Sequence, residues 1–199
     1  MKRILHIISS PRDGHSNSIH LGNTVVEKLL QQYPGSTVTL NNVVEQDYDH
    51  LGSDHLAGFL SPVESQTPEQ SRLALPSDAA VEQLLAHDII VISLPMYNFN
   101  LPSALKAWID HIVRPGKTFS YATGKPEGLV TGKKVYLAIA SKGIYSDGPM
   151  KSWDFAEPYL RFMLGFLGMQ DVTTFRVEGA FGSDFTDPAV EKGLASVVI

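Results

Sequence analysis

The 199 residues contain no cysteine. That removes disulfides, thiolate nucleophiles and thiolate metal ligands together, and it fits a reducing compartment. Any redox chemistry must then come from a bound cofactor. No apolar run is long enough to cross a bilayer, and Met1-Lys2-Arg3-Ile4-Leu5-His6-Ile7-Ile8 has too short a hydrophobic stretch for a signal sequence. The expectation is a soluble cytoplasmic protein with no membrane partner. Basic residues are also scarce: 16 Lys and Arg stand against 21 Asp and Glu, a net charge of -5, with a pI near 5.8. With no Lys/Arg run to form a local patch, this balance argues against nucleic acid as a partner. Several fingerprints are missing too: G-x-G-x-x-G, the Walker A pattern, the G-x-S-x-G elbow and any zinc-ligand spacing. His50 and His55 are five apart, wrong for two ligands on one helical face, and read as solvated loop histidines; no metal is expected.

What is present is ample core material, 43% hydrophobic and 19% charged residues, enough for one α/β domain over 1–199. The most informative stretch is Ile89 to Pro102. Its opening is apolar and mostly β-branched, as in a strand buried on both faces, and Pro95 and Pro102 bracket the loop after it. Met96, Tyr97 and Phe99 alternate with Asn98 and Asn100, flat apolar surface beside amides, which suits a planar heteroaromatic ligand such as a flavin. Core side chains at a strand end would read the same way. A second such junction lies at the start of the chain. Ile4 to Ser9 reads as a central strand, Ser9 to Ser18 as a hydroxyl-rich loop, and Leu21, Val25 and Leu29 as the buried stripe of a helix ending at Tyr33-Pro34-Gly35. Free N–H groups at a helix start favour an anion, and Ser10, Ser16 and Ser18 add donors, with Arg12 near by. The loop's single glycine points to a monophosphate; an ordinary serine cap explains the same residues.

The rest alternates strand and helix. Thr37 to Leu40 is a short strand, and Asn41 to Gln66 a long irregular segment expected to be a lid or site wall. Thr67-Pro68-Glu69-Gln70 starts a helix that Pro76 should kink or split. Ser103 is the expected cap of a helix burying Leu105, Trp108, Ile109 and Ile112. Residues 114–132 read as a hairpin or irregular excursion carrying Phe119 and Tyr121. Lys134 to Ala140 is the fourth strand, followed by a polar loop from Ser141 to Pro149. Asp154 starts a helix with the aromatic stripe Phe155, Tyr159, Phe162 and Phe166, Val172 to Val177 is the fifth strand, and Asp187-Pro188 opens a last helix. Five strands alternating with helices predict a doubly wound parallel sheet. Ligands of such sheets bind beyond the carboxyl ends of the strands, so the three strand-end loops should converge on one site.

The loop Ser9 to Ser18, Pro95-Met96-Tyr97-Asn98-Phe99-Asn100, Thr118-Phe119, Pro126-Glu127-Gly128-Leu129-Val130-Thr131-Gly132-Lys133-Lys134 and Asp147-Gly148-Pro149 together resemble the bacterial FMN-dependent NADH-azoreductase and quinone reductase family over nearly the whole chain. The resemblance implies a flavodoxin-like three-layer fold with a five-stranded parallel sheet. It also implies a homodimer with one FMN per subunit, its sites at the dimer interface. Carried across, it places the FMN phosphate at Ser10, Ser16, Asn17 and Ser18, and the isoalloxazine against Met96, Tyr97, Asn98 and Phe99. Where the family commonly has Ser-Arg-Gly-Gly, this chain has Ala140-Ser141-Lys142-Gly143, from which Ser141, Lys142 and Gly143 are the implied flavin contacts. The implied chemistry is two-electron, ping-pong transfer from NAD(P)H through the flavin to quinones and aromatic azo compounds. No catalytic side chain is required, and Phe119, Tyr121 and Phe162 are candidate walls for the substrate slot. A flavin-binding electron carrier without its own substrate is the alternative, and quinone-dependent NADH oxidation separates the two. A serine or metal hydrolase has only scattered Ser, His and Asp in its favour.

Overall fold

The computed structural model describes residues 1–46, 48–180 and 185–199. In chain order its elements are β1 (Arg3–Ile8), α1 (Asn17–Gln32), β2 (Thr37–Asn42), α2 (Ser53–Leu60), α3 (Pro68–Ala86), β3 (Ile89–Pro95), α4 (Ser103–Ile112), β4 (Phe119–Ser120), β5 (Glu127–Gly128), β6 (Lys134–Ser141), α5 (Ala156–Phe166), β7 (Asp171–Glu178) and α6 (Pro188–Ala195). Five strands form one sheet in the order β2-β1-β3-β6-β7. All four pairings are parallel, as the alternation of strands and helices predicts. β4 and β5 pair separately as an antiparallel hairpin, with Phe119 opposite Gly128.

Side chains of successive strand residues point to opposite faces, and the two halves of the core follow that alternation. Ile4, Ile89, Val91 and Val177 meet Leu21, Val25 and Leu29 of α1 and Val190 of α6 on one face. Leu5, Ile7, Ile90, Ile92 and Leu137 meet Val81 and Leu84 of α3, Trp108 of α4 and Leu160 of α5 on the other. Burying one such aliphatic side chain stabilises the fold by about 1.5–3 kcal/mol. Covered on both sides, β3 and β6 tolerate few polar residues, which is why their sequences are almost continuously apolar.

The chain runs outward from β1 to β2, then returns across β1 to β3 and continues to β6 and β7. The strand order therefore reverses between β1 and β3. There the Ser9 N–H donates to the Ser93 carbonyl at 3.1 Å, and the loops after both strands leave from the same rim.

Several local expectations need correction. The segment 41–66 is not irregular throughout, because it holds α2 and a 3-10 turn at Val63–Ser65. His55, at the third position of α2, is buried rather than solvated; its Nδ1 accepts from the Gly52 N–H at 3.1 Å. His50 is exposed, as expected. Pro76 does not split its helix: α3 runs unbroken from Pro68 to Ala86, and the next residue, Ser77, is buried and donates its hydroxyl to the His111 carbonyl of α4. Packing on α4 outweighs the missing N–H. Ser103 is the first residue of α4 and not its cap, since Pro102, extended at φ -60 and ψ 147, takes the position before it. The other starts hold. Thr67 and Gln70 cap each other reciprocally, Asp187 accepts from the Ala189 N–H, and Asp154 accepts from the N–H groups of Ala156 and Glu157 at 2.9 and 3.0 Å.

Candidate functional site

A cavity of about 490 Å³ opens at the rim where the strand order reverses, and three loops wall it. The first is the segment after β1. Ser16 precedes α1 in extended conformation, yet its hydroxyl caps no helix N–H, and the first turn of α1 holds no acidic residue. Its Oγ lies 2.9 Å from that of Ser18. Ser10, Arg12, Ser16 and Asn17 line the cavity. Hydroxyls, outward N–H groups and one guanidinium at a helix start make a niche for an anion. Ser18 is buried behind Ser16 and touches the niche through it.

The second wall is the turn after β3, where Pro95, Met96, Tyr97, Asn98 and Phe99 all face the cavity. Tyr97 and Asn100 exchange backbone hydrogen bonds at 2.9 Å each way, forcing the two residues between them into the left-handed region: Asn98 has φ 49 and Phe99 φ 66. Asn adopts this conformation readily, Phe does not, and the cost is on the order of 1–3 kcal/mol. What the strain achieves is presentation, because it leaves both side chains exposed at the rim. On the far side of the same turn a second cavity of about 510 Å³ shares Tyr97 and Asn98 and is otherwise walled by residues including Ser103, Lys106 and Tyr159.

The third wall follows β6. Ala140, Ser141, Lys142 and Tyr145 line the cavity, with Ala180 beyond β7. The Ser141 hydroxyl donates to the Gly143 carbonyl at 2.8 Å, drawing the loop into a tight turn. Gly143 itself does not line the cavity; a Cβ there would come within 2.7 Å of the Tyr145 ring, so its role is to let Tyr145 fold back over the loop. Tyr145 meets Phe99 edge to face at 6.1 Å, and Trp153 meets Phe99 in the same manner from another direction at 5.6 Å.

Nine of the eleven expected cofactor contacts thus share one cavity: Ser10, Ser16, Asn17, Met96, Tyr97, Asn98, Phe99, Ser141 and Lys142. The three expected slot walls do not join them. Phe119 is a core residue whose ring packs 4.8 Å from that of Phe166. Tyr121, 60% exposed, leans edge-on against Phe119. Phe162, 70% exposed, lines a separate groove shared with Lys134 and Asp171, at the opposite ends of β6 and β7. Sequence reasoning missed Tyr145 and Trp153. Tyr145 lay inside a loop already singled out for its polarity, but nothing local marks Trp153, whose neighbour Phe99 is distant in sequence.

The Flavodoxin-like fold family model matches residues 2–198. An FMN-dependent NADH:quinone oxidoreductase of Mesorhizobium japonicum is 43% identical over 195 residues, 98% of this chain and 93% of that protein. Among solved structures, an azoreductase from Bacillus anthracis superposes with a TM-score of 0.88 at 28% identity, covering 98% of this chain and 96% of that one. An FMN-dependent NADH-azoreductase from Bacillus anthracis in complex with FMN superposes with a TM-score of 0.83 at 25% identity, covering 98% and 97%.

Proposed function

The chain belongs to the flavodoxin-like family of FMN-dependent NADH:quinone oxidoreductases, and we propose that it works as one, reducing quinones and aromatic azo compounds with electrons from NADH through FMN held in the cavity at the sheet rim. The observation that carries this reading is the junction of two different surfaces in that one cavity: an uncapped helix start ringed by hydroxyls, and a turn strained into presenting Asn98 and Phe99. A monophosphate fits the first, a planar ring the second. An inorganic anion would have no use for the aromatic turn.

In this arrangement the N–H groups at the start of α1, with Ser10, Ser16 and Arg12, hold the phosphate. Ser18 orients the Ser16 hydroxyl from behind. Met96, Tyr97 and Phe99 hold the flat ring, while Asn98 and the loop backbone offer hydrogen bonds to its polar edge, and Ser141 and Lys142 close the third side. FMN held there would supply the redox chemistry, two-electron transfer from NADH to the acceptor. The protein's part is placement and exclusion of water. One open face serves donor and acceptor in turn, which gives ping-pong kinetics. Among the described residues the lining holds no carboxylic acid and no histidine; the titratable protons it does hold are those of Arg12, Tyr97, Lys142 and Tyr145.

The same reading makes the protein a homodimer. Phe162, Tyr121 and Leu129 are exposed apolar side chains around the β4–β5 hairpin and α5, a surface suited to a second copy, and from there Tyr121 and Phe162 would wall the partner's cavity. No helix among the described residues is long and apolar enough to cross a membrane; the cytoplasm, where reduced nicotinamide is available, is the compartment this chemistry needs.

An absorption spectrum of the purified protein tests the cofactor, with flavin bands expected in the blue. NADH consumption on adding a quinone, with parallel double-reciprocal lines, tests the reaction. Flavin bands without quinone-dependent NADH oxidation would leave an electron carrier, and a colourless protein that FMN does not titrate would end the assignment. Sedimentation of the flavin-loaded protein as a monomer would end the dimer.

A further inference from the structure

Behind the cavity lies a cluster of charge that the proposed chemistry does not use. Arg176 of β7 is only 11% exposed in its side chain and is not among the cavity's lining residues. One of its terminal nitrogens donates to Glu178 at 3.1 Å; the other contacts both Asp154 and Glu157. Glu178 and Asp154 each hold a different piece of backbone. Glu178 accepts from the N–H groups of Tyr145 and Ser146 at 2.8 and 3.0 Å. Asp154 accepts from the first N–H groups of α5, just after the turn that carries Trp153.

Among the described residues, Tyr145 and Trp153 are the two rings packed against Phe99. The Phe99 carbonyl also accepts from the Phe155 N–H at 3.0 Å, tying the strained turn to the entrance of α5. A bulky residue at φ 66 persists only where its surroundings over-determine it. Its supports reach it from two separate segments, the loop after β6 and the start of α5, and the guanidinium of Arg176 joins them. Among the described residues three carboxylates surround it and Arg161, through Glu157, is the one second cation, so removing that charge would drive the two segments apart.

We propose that Arg176 is a positioning residue: through Glu178 and Asp154 it fixes the two aromatic supports that hold the Asn98–Phe99 turn, and so sets the grip of the cavity on the ring of a flavin. The inference rests on the cavity holding a flavin, but its mechanical half concerns the protein alone.

The test uses Arg176→Lys, which keeps the charge but gives up the planar fork that bridges several carboxylates, and Glu178→Gln, which keeps an acceptor for the Tyr145 and Ser146 N–H groups while losing the ion pair. Thr174→Val is the control; it deletes a hydrogen bond to Glu157 in the same cluster without touching Glu178 or Asp154. Two readouts are taken on proteins that remain folded. The first is binding of riboflavin and of FMN, followed by flavin fluorescence. Both lysine and glutamine variants should bind the two ligands about tenfold more weakly and by equal factors, since ring contacts are lost and phosphate contacts kept; Thr174→Val should bind as wild type does. The second is acrylamide quenching of tryptophan emission in flavin-free protein. Trp108 is buried and Trp153 is 50% exposed, so quenching reports Trp153 and should rise by up to about twofold in the two variants alone. Wild-type quenching and affinity in folded Arg176→Lys and Glu178→Gln would overturn the proposal, as would equal losses in Thr174→Val. If no variant and no wild-type protein binds either flavin, the cofactor assignment fails, while the quenching experiment still decides whether Arg176 holds the supports.

Discussion

The Nε2 of His6 and the Oγ of Ser93 are 2.7 Å apart, hydrogen-bonded between β1 and β3 directly beneath α1. Gly22 of α1 makes room for them. A Cβ at position 22 would lie 1.9 Å from the Ser93 hydroxyl oxygen and 2.7 Å from the His6 nitrogen. The helix that opens at the anion niche can therefore come this close to His6 and Ser93 only because position 22 lacks a side chain.

Gly22→Ala should destabilise the protein by about 1–3 kcal/mol, the ordinary cost of overpacking. Adding Ser93→Ala removes the closest atom and should recover part of that loss, a coupling that a double-mutant cycle in urea measures. Additive losses would show that the helix moves instead of the serine. In that event FMN affinity should fall too, because the start of α1 moves with it.

Burial lowers the pKa of His6 from 6.5 to about 4. The unfolded chain takes up a proton near pH 6.5 that the folded chain refuses until about pH 4, so the neutral imidazole contributes stability that is complete above the first value and lost as pH falls toward the second. The whole effect is on the order of 3 kcal/mol. Burial also lowers the pKa of His111 and adds in the same direction. Glu157 behaves differently. Burial raises its pKa, but hydrogen bonds from Arg176, Thr174 and Arg161 outweigh that and bring it to about 2, so its contribution is complete above pH 4.5 and lost only below. Urea midpoints should thus fall with pH between about 6.5 and 4.5 in the wild type and less steeply in His6→Gln; identical slopes would remove His6 as the cause.

Ser16→Ala should weaken FMN binding by about tenfold, the worth of one hydrogen bond to a charged group, and leave riboflavin binding unchanged. The serine caps no helix N–H but pairs with the buried Ser18 hydroxyl at 2.9 Å, so a stability loss of about 1–3 kcal/mol should accompany the loss of affinity. A drop in Tm with unaltered FMN affinity would make it an ordinary structural serine.

Much of this architecture can be read from short-range signals. The continuous apolar runs of β1, β3 and β6, and the Thr67–Gln70 and Asp187–Pro188 starts, express themselves within a few residues. The strand-end loops carry their polar and aromatic residues in plain view. Other features escape because their causes are distant. α2 is eight residues long and is preceded by Gly52, which offers no hydroxyl or carboxylate cap, its histidine turned back on the backbone. Phe119 and Tyr121 alternate like residues of an exposed arm, yet the hairpin they belong to lies against α5, which turns Phe119 inward onto Phe166. The third wall depends on Glu178 reaching the N–H groups of Tyr145 and Ser146 more than 30 residues earlier, a relationship with no trace in local spacing.

Asn98 contributes to the site in two separable ways. Its backbone sits at φ 49, where alanine is disfavoured by about 1–2 kcal/mol and glycine is not, and its amide faces the cavity. Asn98→Ala should lose both, lowering Tm and weakening FMN about tenfold or more, while Asn98→Gly should keep the turn and lose only the amide, so that FMN weakens at nearly unchanged Tm. His50→Ala, on an exposed loop, should alter neither quantity. FMN affinity in Asn98→Gly equal to wild type would mean that the turn serves only to aim Phe99, and equal affinity in Asn98→Ala and His50→Ala would move the ring elsewhere in the cavity.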